Sequence, residues 1–89
     1  MRAIVTVIGK DRVGIIASVT NLLSSYGVNV LDISQTVLQE YFTMIMLVDS
    51  SACSVPFAEL ANALRDEGEH MGMQIRAQRE EVFNAMHRI

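Results

Sequence analysis

The residues with chemistry to offer are few: two histidines (His70 and His87), one cysteine (Cys53), and a short polar segment, Gly9-Lys10-Asp11-Arg12-Val13-Gly14-Ile15. General acid–base catalysis needs a histidine or carboxylate beside a partner, and nucleophilic catalysis needs an activated serine, cysteine or lysine. Cys53 has no histidine at a motif spacing, and a single cysteine makes neither a disulfide framework nor a CxxC site. His70 and His87 fall near the carboxy-terminal ends of predicted helices, where a cationic or polar group answers the helix dipole without any further role. These three residues lie in three separate segments, which is no metal-ligand spacing. The six methionines read as adaptable core and interface filling rather than a copper site. No catalytic residue, metal ligand or cofactor is assigned.

The polar segment is more informative. It is not a phosphate-binding Walker loop, because no Lys-Ser or Lys-Thr follows its second glycine. It does join a predicted strand to a predicted helix, and the start of a helix presents unpaired N–H groups at the positive end of the dipole. Carboxylates and phosphates bind readily there. Gly14, lacking a β-carbon, lets a ligand or another backbone approach those amides. Asp11 is placed either to cap the helix or to bind an ammonium group. On these grounds alone the segment reads either as a ligand site or as a plain turn with a cap.

The elements that must position it follow from periodicity. Residues 2–8 are β-branched and stop at Gly9, which predicts a strand, with a polar turn over 9–12. A helix is expected over 13–26, where Ile16, Val19, Leu23 and Tyr26 recur at helical spacing, ended by Gly27. Residues 29–38 alternate, with Leu31, Ile33 and Val37 on one face and Asp32, Ser34 and Thr36 on the other, as in a half-buried strand. Residues 41–48 form the next strand across Gln39-Glu40, an unfavoured two-residue turn that suggests a longer loop. Ser54 and Pro56 mark a helix start, and residues 55–71 carry a stripe of Phe57, Leu60, Ala61, Leu64, Gly68 and Met71. A strand over 73–79 and a terminal helix over 80–87, grouping Val82, Phe83 and Met86, complete the chain.

The order predicts an α+β fold: a ferredoxin-like βαββαβ antiparallel sandwich with an added C-terminal helix. It reads as one domain over 1–89, with the core in 1–79 and the helix in 80–89. The third strand is apolar on both faces. Phe42, Met44, Met46 and Val48 form one side; Tyr41, Ile45 and Leu47 form the other. A sheet covered on one side only should alternate cleanly, so the terminal helix, a partner subunit, or both are expected to cover the second face.

Composition bounds the function. Eighty-nine residues with 51% hydrophobic side chains and 19% charged make a small folding domain rather than a disordered chain. A formal charge of −3 lacks the basic face that nucleic-acid binding rests on, and no aromatic residues sit at stacking positions. The longest apolar run, Met44–Val48, is far below the ~20 residues that span a bilayer. No leader-like segment stands out, and with one cysteine a reducing, cytoplasmic setting is the economical reading.

Asp11-Arg12-Val13-Gly14-Ile15-Ile16-Ala17, with Gly27-Val28-Asn29-Val30 after the helix, resembles the ACT domain, a small amino-acid-sensing regulatory module. The resemblance covers residues 2 to about 79 and is most specific in these two motifs. The tail Val82–Ile89 resembles that of small stand-alone ACT proteins, some related to the glycine-cleavage-system repressor. The resemblance implies a ligand held between two subunits by the first strand–helix loop and the start of the second strand. Asp11 and Asn29 would then supply polar side-chain contacts, and Val13, Gly14 and Ile15 backbone amides and a close wall, with Arg12 in the same loop. Val13 stands where many members have proline, which keeps an N–H and a freer φ in the loop. Asp11 disfavours a nearby carboxylate and suits an amine.

The reading that follows is a non-catalytic homodimeric module binding a small molecule of the amino-acid class and signalling to another protein. A second class is a small enzyme on the same fold, such as an acylphosphatase, with Arg12 as anion cradle and Asn29 positioning water. A third is a purely structural interaction module.

Overall fold

The computed structural model describes residues 1–86; His87, and with it the last residues of the tail motif, lies outside the described residues. Alternation builds the sheet. In β1 (Arg2–Lys10), Ala3, Val5 and Val7 are buried, and in β3 (Tyr41–Asp49) so are Phe42, Met44, Met46 and Val48. Met73 and Ile75 of β4 (Met73–Arg79) line the same face. With β2 (Asn29–Leu38) the strands order β2-β3-β1-β4, every neighbouring pair antiparallel. Two helices cover the apolar face. From α1 (Ile15–Ser25) come Ile15, Val19 and Leu23, and from α2 (Phe57–Met71) come Leu60, Leu64 and Gly68. Each set repeats every fourth residue, the spacing that keeps one face toward the core. The predicted ferredoxin-like βαββαβ order, with an added helix α3 (Glu80–Met86), is the observed one.

Glycines mark the closest approaches. A β-carbon on Gly68 would stand 2.7 Å from the Met73 carbonyl oxygen and 2.9 Å from Ile75 Cγ1, so α2 rests on β4 through a residue without a side chain. After α1, Gly27 takes φ +77° and donates to the Ser24 carbonyl, while Val28 donates to that of Leu23. This paired closure satisfies two of the last carbonyls of the helix and turns the chain into β2.

Four expectations need correction. Gly9 and Lys10 belong to β1 rather than to a turn; Gly9 lies between Phe42 and Met73, where a β-carbon would come within 2.5 Å of Met73 Sδ. The β2–β3 connection is tight, because Leu38 pairs directly with Tyr41 and Gln39 accepts φ +54°. Helix α2 starts at Phe57 with Pro56 at the cap position and no side-chain cap, while Ser54 donates its amide to Tyr26. Finally, β2 is not half-buried. An irregularity at Leu31 places Val30 and Ile33, rather than Leu31 and Ile33, on the face of Val48 and Met46, and only Val30 is shielded. Beyond it Ile33 and Val37 remain 39% and 52% exposed because β2 is an edge strand that the helices overlap little.

Helix α3 packs against β1 and β4. Its Glu80 pairs with Arg2, and Gln78 of β4 donates to Met86 Sδ at 3.3 Å, but none of its residues is buried. Tyr41 and Ile45, on the open face of β3, stay exposed.

Candidate functional site

The β1–α1 loop leaves the sheet after Lys10 and is tied down at two points. The Asp11 amide donates to the Glu40 carbonyl at 2.7 Å, joining the loop to the tip of the β2–β3 hairpin. The Arg12 guanidinium donates through Nη1 to the Met71 carbonyl at 2.9 Å, joining it to the end of α2. Between these ties and the helix Val13 is fully exposed, at 100%.

Gly14 differs from the expectation of a helix beginning at residue 13. It is the N-cap, at φ +90° and ψ 4°, and no side chain caps the helix. Asp11 is therefore not the cap. The left-handed conformation alone explains a glycine here, since L-residues lose roughly 1–2 kcal/mol in it. Nothing lies within 4 Å of where its β-carbon would be, so the space over the loop is open. The first helical bond runs from the Ser18 amide to the Gly14 carbonyl at 2.9 Å. The amides of Ile15, Ile16 and Ala17 precede it and have no helical carbonyl to pair with. Ile15 itself is 3% exposed and packs in the core, so its side chain is no wall for a ligand.

Asn29 sits elsewhere. It pairs with Asp49, which pairs with Arg2, at the far end of the sheet from Lys10 and Tyr41. Eight residue steps along β1 separate those ends, or roughly 27 Å of strand. Asp11, Arg12, Val13, Gly14 and Ile15 are thus assembled on one chain, and Asn29 of that chain is not among them. The same separation rules out a single-chain acylphosphatase site built from Arg12 and Asn29.

Beside Asn29 lies a cluster that motif reasoning missed. Asp49 Oδ1 accepts from the Ser51 hydroxyl at 2.6 Å and from the Ser51 amide at 2.9 Å, with the Met1 ammonium at 3.4 Å. The Ser51 hydroxyl bond, then the amide and the ammonium, hold the Asp49 carboxyl down at about 2. Its one sequence signal is the aspartate-serine-serine run that ends β3, a pattern in which a side chain bonds its own backbone two residues on.

Other reactive groups are dispersed. The His70 ring meets the Asp66 carbonyl at 2.9 Å within its own helix, and Cys53 packs half-buried against the core. Among the described residues no three His, Cys, Asp or Glu side chains group as metal ligands, and no helix is long and apolar enough to cross a membrane.

The model of one protein family, described as the ACT domain, matches residues 2–78. A UPF0237 protein of Clostridium acetobutylicum is 52% identical over 89 residues, covering 100% of both chains. Among solved structures, an ACT domain protein from Streptococcus pneumoniae superposes with a TM-score of 0.82 at 42% identity, covering 93% of each chain. The regulatory subunit of aspartate kinase from Thermus thermophilus, in a ligand-free form, superposes with a TM-score of 0.66 at 25% identity, over 86% of this chain and 50% of that one.

Proposed function

The chain belongs to the ACT-domain family, whose members are typically regulatory ligand-binding domains, and from that premise we propose that it is a non-catalytic sensor that binds a small molecule of the amino-acid class between two copies of itself. The observation that carries this reading is the pairing of an open loop with a bare strand edge. Nothing stands within 4 Å of where a Gly14 β-carbon would be, beside the first turn of α1, and β2 exposes Leu31, Ile33, Val37 and Leu38 on a strand with one unpaired edge.

Exposed apolar edge strands invite another strand. Two copies joined antiparallel about the middle of β2 form a two-fold symmetric continuous sheet, the commonest closed symmetry for a dimer. That operation sets the partner's Asn29 beside Leu38, at the end of the sheet where the loop lies. A ligand carboxylate would rest on the amides of Ile15, Ile16 and Ala17. Its ammonium would face Asp11, the partner's Asn29 would add a polar contact, and Val13 would supply apolar surface. The bound state would pass to another protein.

A thermal-shift screen against the common amino acids tests the ligand class. A ligand that binds only the folded state at 100 times its Kd adds about 2.7 kcal/mol of stability. A clear rise with one or a few amino acids supports the reading; no rise with any overturns it. Light scattering at low micromolar concentration, with twice the chain mass expected, tests the dimer separately.

A further inference from the structure

We infer that Arg12 is a positioning residue: it sets the geometry of the β1–α1 loop by gripping the end of α2, without touching the bound molecule. The inference rests on the sensor reading for the loop's purpose and on the geometry alone for Arg12. Its Nη1 donates to the Met71 carbonyl at 2.9 Å. Met71 is the last residue of α2, so that carbonyl is one of the four that a helix end leaves unpaired. A guanidinium there satisfies the acceptor and places a fixed positive charge at the negative end of the helix dipole.

The same turn is gripped a second time from β1. Gly9 packs so closely on the α2–β4 junction that a β-carbon would reach 2.5 Å from Met73 Sδ and 3.3 Å from the Gly72 carbonyl oxygen. The root of the loop and its second residue thus hold residues 71–73 together. On its other side the loop hangs from the hairpin tip through the bond from Asp11 to Glu40. Arg12 therefore spans from the negative end of α2 to a loop whose last residue opens the positive end of α1. Because coupling is reciprocal, whatever fixes the α2–β4 turn also favours the loop geometry that bares the α1 amides.

The test compares wild type, Arg12→Ala and Arg12→Lys as full chains. Amide exchange is followed at Asp11, Ser18 and Gly72, whose N–H groups donate to Glu40, Gly14 and Glu69. Arg12→Ala should speed all three together by about 3–10-fold, the ordinary net worth of one intramolecular hydrogen bond, with core strand amides unchanged. Arg12→Lys, which keeps the charge at the helix end, should recover part of that protection. A change at Gly72 alone, or no recovery with lysine, overturns the inference.

Calorimetry with the common L-amino acids and their carboxamides separates positioning from direct contact. Positioning requires Arg12→Ala to weaken an amino acid and its carboxamide by the same factor. A loss confined to the free carboxylate means direct contact and overturns the inference. If none of these compounds binds wild type, the sensor reading fails while the exchange comparison still decides the role of Arg12.

Discussion

The Asp11 amide donates to the Glu40 carbonyl at 2.7 Å, so the candidate loop is tied to the tip of the β2–β3 hairpin. That tip carries a cost. Gln39 sits at φ +54°, the one positive-φ residue other than glycine among those described, and two-residue hairpin turns with a positive first position favour glycine. Gln39→Gly should raise stability by about 0.5–1 kcal/mol, read from chemical denaturation. An unchanged or lowered midpoint would mean that the glutamine side chain contributes what its backbone loses.

Gly14 separates fold from binding. Gly14→Ala should lower stability by ~1–2 kcal/mol through its φ of +90°, although nothing stands where the β-carbon would go. Gly14→Asn should be milder for the fold, because asparagine tolerates the left-handed region. It nevertheless sets a side chain over the open amides, so it should weaken binding more than it weakens folding. Melting curves beside calorimetry decide this; wild-type affinity in Gly14→Asn would take the loop out of the site.

Much of the architecture is legible in residue types. The β-branched run of β1, the apolar run of β3 and the three- and four-residue recurrences of the helices follow from burying apolar faces, and short-range patterns express that directly. What escapes them is set by contacts distant in sequence. Gly9 reads as a turn because its partner, Met73, lies on another strand. Leu31 reads as alternating because the irregularity beside it is defined only by the register with β3. The tight turn at Gln39-Glu40 is held partly by Asp11, far back in the chain. For the site, the loop was visible as a motif. The engagement of Arg12 with Met71 was not, because a backbone carbonyl carries no side-chain signature.

Asp49 titrates near 2 because Ser51 and the Met1 ammonium favour its charged form. A carboxyl depressed in the folded state adds stability above its ordinary value of 3.8 and loses that contribution as pH falls toward 2. Carboxyl NMR should place the Asp49 midpoint near 2, and Ser51→Ala should move it upward. A midpoint at the ordinary value in wild type would contradict the cluster.

Helix α3 buries none of its residues and lies on β1 and β4, away from the β2 edge. Ending the chain after Arg79 should cost about 1–2 kcal/mol of stability, mostly from the half-buried Phe83, and should leave the oligomeric mass unchanged. Loss of the dimer on this truncation would move the subunit interface to the α3 side.

The central claim is a site shared between chains, the loop from one and Asn29 from the other, and mixing two weakened variants tests it most directly. Gly14→Asn spoils the loop and Asn29→Ala removes the contact from the other half, so both homodimers should bind the amino acid found by screening clearly more weakly than wild type. Unfolded and refolded together in equal amounts, they form mixed dimers in which one of the two sites has both halves intact. Calorimetry should then recover about one quarter of the wild-type sites at wild-type affinity, as random pairing of two chains in a two-fold dimer requires. Binding by the Asn29→Ala homodimer at wild-type strength, or no recovery from the mixture, would contradict the shared site.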